Sequence, residues 1–144
     1  MKERGRVIVI EDDQDWQEIL REYLEDAGFF VEVASSLETG LKKIKKERFH
    51  FATIDLQLEE DTLNPSEFEG WELLEKIINY RKGNKMPTMV ITGFDKAYIK
   101  HSEIKKLRGT FFMPKKNFDR KKFIEKVVSS IEALDDRFFD DKKE

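Results

Sequence analysis

Five short apolar runs punctuate this chain at intervals, and each gap between them carries helical spacing. The runs are "RVIVI" (6–10), "FFVEVA" (29–34), "FHFATID" (49–55), "PTMVIT" (87–92) and "TFFM" (110–113). After the first run, Trp16, Ile19, Leu20, Tyr23, Leu24 and Ala27 fall on one helical face, which Gly28 closes. "SSLETGLKKIKKER" opens with Ser35 and Glu38 at the spacing of a capping box. "GWELLEKIINYRKG" turns Trp71, Leu74, Ile77 and Ile78 inward, "DKAYIKHSEIKKLRG" has a sparser apolar face, and the last helix is carried by Phe123, Val127, Ile131 and Leu134 with Asp119 as its N-cap. Continuous apolar strands alternating with amphipathic helices imply a parallel sheet covered on both faces. Right-handed crossovers then give an α/β, doubly wound five-stranded layer with five helices.

The length of 144 residues suits one domain, 1–144, without repeat or linker, and the tail 136–144 is expected to fray. The absence of cysteine excludes disulfides, thiol catalysis and thiolate metal sites. A net charge of −3 argues against direct DNA binding. No apolar run reaches the roughly 20 residues of a membrane span, and "MKERGRVIVI" does not read as a signal peptide, so a cytoplasmic protein with no membrane partner is expected. Both histidines, His50 and His101, read as solvent-facing, and Trp16 and Trp71 as helix core or rim.

In doubly wound sheets the ligand site lies beyond the carboxyl ends of the strands. There the first strand runs into Glu11, Asp12 and Asp13, the third into Asp55, the fourth into Thr92 and Gly93, and the fifth into Pro114 and Lys115. Two carboxylates about 4 Å apart repel by on the order of 4 kcal/mol at an effective dielectric of 20. A hard divalent cation shared by Glu11, Asp12 and Asp55 removes that repulsion. Asp13 is then the solvated acid, or a cap for the first helix. With Lys115 and the Thr92 hydroxyl beside it, Asp55 is placed to take a phosphoryl group by positioning and electrostatics, with no general base.

The pieces "VIVIEDD", "FATIDLQL", "MVITGF" and "FFMPKKNF", in that order, resemble the receiver domain of two-component response regulators, of the stand-alone type. The resemblance implies the flavodoxin-like strand order 2-1-3-4-5. It implies Mg²⁺ or Mn²⁺ held by Glu11, Asp12, Asp55 and the Gln57 carbonyl, with Asp55 as phosphoacceptor. Lys115 becomes the phosphate-binding lysine, Thr92 the switch hydroxyl and Phe112 the aromatic switch. The implied donor is a sensor histidine kinase or a histidine phosphotransfer protein. Phosphorylation is implied to change the face of the fourth helix, fifth strand and fifth helix for an unknown downstream protein, with no separate output enzyme.

Three departures from the family stand out. Lys116 follows Lys115 where the family usually has proline in a cis bond; a non-proline cis bond costs about 2.5–4 kcal/mol, so a trans bond and a differently aimed Lys115 are expected. An acidic insertion at about 57–69 lengthens the loop after Asp55, and from Asp55 to Glu75 there are eight acids and no Lys or Arg. Phe94, two residues past Thr92, is expected to slow loss of the phosphoryl group. From Lys96 to Lys126 the balance reverses to eleven Lys plus Arg against three acids, which suits a solvated face or a docking surface and, with the acidic insertion, allows a head-to-tail homodimer. The alternative function is a degenerate receiver serving as a phosphorylation-independent scaffold. An aspartate-nucleophile phosphatase ranks low because Asp55 follows the third strand and lacks a second Asp two residues on. A nucleotide binder is rejected because "EDDQDW" stands where a glycine-rich phosphate loop would be.

Overall fold

The computed structural model describes residues 4–55, 75–77, 79, 86–93 and 110–134. Within them the chain runs β1 (Arg6–Ile10), α1 (Gln14–Asp26), β2 (Phe30–Ala34), α2 (Leu37–Lys46), β3 (Phe51–Ile54), β4 (Thr88–Thr92), β5 (Thr110–Pro114) and α3 (Arg120–Glu132). All five strands are parallel, in the order β2-β1-β3-β4-β5. The expected sheet is therefore present. Of the five expected helices, the first, second and last correspond to α1, α2 and α3. The third contributes residues 75–77 and 79, and the fourth falls outside the described residues, as do the acidic insertion, Gln57, Trp71, Phe94, His101 and the tail.

Period-two alternation sorts the sheet into two cores. Ile8, Ile10, Ala52, Ile54 and Val90 join Leu41 and Ile44 of α2 on one face. Val7, Val9, Phe51, Met89 and Ile91 meet α1 and α3 on the other. β1 is buried from Val7 through Ile10 because both faces are covered, which is why it reads as an unbroken apolar run.

Local chemistry sets the helix ends. Asp13 caps α1, its carboxylate accepting from the Asp15 and Trp16 N–H groups, and Asp119 caps α3 by accepting from Lys122 N–H. The α2 cap is Ser36, whose hydroxyl accepts from Thr39 N–H at 3.1 Å, and not Ser35. Gly28 ends α1 at φ +95°, a region that disfavours a side chain. Gly40 lets α2 lie directly on β1, since a Cβ there would clash with the Ile10 side chain.

His50 is half-buried instead of solvent-facing. Its Nδ1 accepts the Arg6 N–H at 2.8 Å while its own N–H donates to the Arg6 carbonyl at 2.8 Å, closing the start of β1 onto β3.

Candidate metal and phosphoryl site

The sheet hydrogen bonding extends one residue past the strands and fixes the backbone of the site. Glu11 N–H donates to the Ala34 carbonyl, Asp55 N–H to Ile10 and Lys115 N–H to Thr92, each at 2.9 Å. Glu11, Asp55 and Lys115 continue the parity of Val9, Thr53 and Met113, so their side chains share the α1 side of the sheet. Thr92 continues the parity of Val90, which belongs to the α2-side core. Phe112 pairs in register with Val90 and packs against the same core. Glu11, Asp55 and Lys115 thus follow one parity of the sheet, while Thr92, expected both beside Asp55 and in the switch, follows the parity of Phe112. Thr92 itself is buried.

Lys115 is the centre of the described charge. Its Nζ lies 2.9 Å from Glu11 Oε1 and 3.2 Å from Asp55 Oδ2, where the Glu11 side chain is 1% and the Asp55 side chain 5% exposed. The Lys115–Lys116 bond is trans, since the described residues contain no cis peptide. The expected trans bond is therefore found, but the differently aimed lysine is not: Lys115 points at the acids. Asp12 completes the cluster from a more exposed position. One carboxylate oxygen from each of Glu11, Asp12 and Asp55 can be chosen so that all three lie within 4.8 Å of one another.

Three acids against one ammonium leave the cluster negative, and burial sharpens the imbalance. Burial raises the Glu11 pKa above its ordinary value of 4.5, the Asp55 carboxyl beside it adds to the rise, and Lys115 opposes it. Burial, then Glu11, pushes Asp12 up as well. For Lys115 burial works downward, but Glu11 and Asp55 together outweigh it, and its pKa is raised above 10.5. Glu11 keeps one aligned partner, the Asp13 N–H at 3.1 Å on Oε2. Beyond the Lys115 ion pairs, Glu11 Oε1 and Asp55 Oδ2 are buried without a hydrogen-bond partner among the described residues. An all-oxygen donor set of three carboxylates, two of them sharing one ammonium, fits a hard divalent cation such as Mg²⁺.

A family model describing the response regulator receiver domain matches residues 7–128. The chain belongs to this family. Phosphorylation on aspartate is typical of receiver domains, and their acidic clusters bind Mg²⁺. The receiver fold is shared with a CheY-like response regulator receiver domain protein from Methanospirillum hungatei JF-1, 25% identical, with TM-score 0.69 over 88% of this chain and 93% of that one. The chemotaxis protein CheY4 of Vibrio cholerae is 21% identical, with TM-score 0.69 over 88% of this chain and 98% of its own, and shows the fold alone. An uncharacterised 14.6 kDa protein of the sodA1 3′ region in Leptolyngbya boryana is 30% identical over 88 residues, 61% of this receiver chain. The match spans 62% of that relative's length.

One contact at the site had no counterpart in the sequence reading. Trp16, assigned to core or rim, also places its ring 5.1 Å from Lys115 Nζ. The available signal was an aromatic in the first turn of α1, just past the acids, and a second aromatic, Phe118, three residues after Lys115.

Proposed function

We propose that this receiver accepts a phosphoryl group on Asp55, with Glu11, Asp12 and Asp55 holding a divalent cation and Lys115 facing the incoming phosphoryl oxygens. The single observation behind this reading is the buried Asp55 carboxylate 3.2 Å from the Lys115 ammonium, with Glu11 sharing that same ammonium at 2.9 Å. A bound Mg²⁺ would supply charge neutralisation for the carboxylates and for the phosphoryl oxygens. Asp55 forms the new P–O bond as the bond from phosphorus to the donor nitrogen breaks. The donor nitrogen leaves with the electron pair and takes a proton from solvent. Buried β1 and β3 hold the nucleophile's backbone still, so catalysis is positioning and electrostatics.

The donor in this reading is a histidine kinase or a histidine phosphotransfer protein, because receiver domains interact with proteins of those classes. Thr92 and Phe112, on the opposite sheet face from Lys115, would carry the switch to a downstream partner. Gln57 would add its carbonyl to the metal.

The test is intact mass after incubation with Mg²⁺ and phosphoramidate. The expected result is a gain of one phosphoryl group that Asp55→Ala and a chelator both abolish. A gain that persists in Asp55→Ala would move the acceptor elsewhere. No gain, together with no beryllofluoride binding, would favour the scaffold reading.

A further inference from the structure

Trp16 occupies the first turn of α1 and touches both ends of one loop. The Lys115 ammonium lies 5.1 Å from its ring centroid, and the Phe118 ring meets it edge-on at 5.3 Å. Lys115 and Phe118 are brought to the same indole because Asn117 between them takes φ +56°, a left-handed conformation that asparagine tolerates. Phe118 is anchored in turn by Tyr23, stacked at 6.4 Å, and by Phe123 at 5.3 Å. The indole is therefore fixed from behind by α1 and α3 while its ring attracts the ammonium.

Lysine is a flexible four-carbon stem with a point charge, and ion pairs alone do not hold it in one place. Its two carboxylate partners are also the groups proposed to turn to a metal and to the phosphoryl group. Whenever Glu11 and Asp55 take another partner, the ion pairs that aim Lys115 weaken. The attraction of the Trp16 ring does not depend on those carboxylates.

We propose that Trp16 is a positioning residue that keeps the Lys115 ammonium aimed at Asp55. The proposal deepens the phosphoacceptor reading and rests on it for its consequence in phosphorylation; the contact itself is testable apart from it.

Trp16 and Trp71 are the two tryptophans of the chain, so a Trp71→Phe background isolates Trp16 emission. In that background Lys115→Met is expected to shift the Trp16 emission, because a charge beside the ring is removed. A second arm compares Trp16→Phe with Trp16→Leu for the rate of mass gain from phosphoramidate and Mg²⁺. Leucine has no π face and is expected to slow the gain about three- to fivefold, whereas phenylalanine retains the cation–π contact and stays within about twofold of the parent. Unchanged emission in Lys115→Met overturns the proposal. So does Trp16→Leu at the parent rate, or Trp16→Phe as slow as Trp16→Leu. If the parent itself gains no mass, the phosphoacceptor reading fails, and the emission arm still decides the contact. If thermal melting shows Trp16→Leu unfolded, the emission arm and Trp16→Phe decide.

Discussion

The two ends of β1 and β3 solve the problem of charge in opposite ways. At the amino end, Arg6 pairs with Glu47 at 3.4 Å, with the two side chains 31% and 42% exposed, and its guanidinium lies over the rings of Phe30 and Phe49. His50 closes the backbone there with two hydrogen bonds to Arg6. At the carboxyl end, the Glu11 and Asp55 side chains are almost fully buried, share Lys115, and have oxygens with no other partner among the described residues. One end is balanced and wet, the other unbalanced and dry. Burial without balance is costly, so the carboxyl end is where the fold gives up stability for a site that a cation can complete.

The largest expected difference comes from removing the cation at each end. Lys115→Met leaves two buried carboxylates facing each other and should lower metal-free stability by about 3 kcal/mol at neutral pH, as breaking a buried pair does. Arg6→Met should cost about 1 kcal/mol, since its ion pair is exposed and its ring contacts are modest. Urea denaturation of both variants checks this, and equal losses would break the comparison.

Glu11→Gln should act in the opposite direction and raise metal-free stability at neutral pH, on the order of 1 kcal/mol. The sign follows from its raised pKa. A carboxyl whose folded value lies above 4.5 contributes stability that is fully present below 4.5 and lost as pH rises through the folded value. The stability of the parent minus that of Glu11→Gln should therefore fall with rising pH across that window. A flat difference would contradict the electrostatic imbalance at this end.

Between the two ends, Thr53 is 1% exposed and its hydroxyl has no hydrogen-bond partner among the described residues. Thr53→Val removes that hydroxyl at nearly constant shape and should stabilise the protein by up to about 1 kcal/mol in thermal or urea unfolding. The smallest effect belongs to the balanced end: Glu47→Gln should change stability by no more than about 0.5 kcal/mol, and less in high salt.

How far the sequence spoke for itself follows the same division. The strands were legible because both faces of the sheet are covered and buried strands read as apolar runs. The carboxyl-edge acids and Lys115 were legible because topology alone sends them to one edge. Ser36 was missed for Ser35 because adjacent serines offer the same chemistry, and only the placement of Thr39 N–H distinguishes them. The roles of His50 and Trp16 depend on partners 44 and 99 residues away in sequence, Arg6 and Lys115, which no local pattern reports. The residue after Lys115 does not report where that lysine points, because two carboxylates from other strands set its aim.

The most direct test of the central claim is the urea midpoint at neutral pH with and without millimolar Mg²⁺, for the parent and Glu11→Gln. Ligand binding to the folded state alone raises stability with concentration. Mg²⁺ is expected to stabilise the parent increasingly with concentration and to leave Glu11→Gln nearly unmoved. No Mg²⁺ effect on the parent, or an equal rise in both proteins, would contradict it.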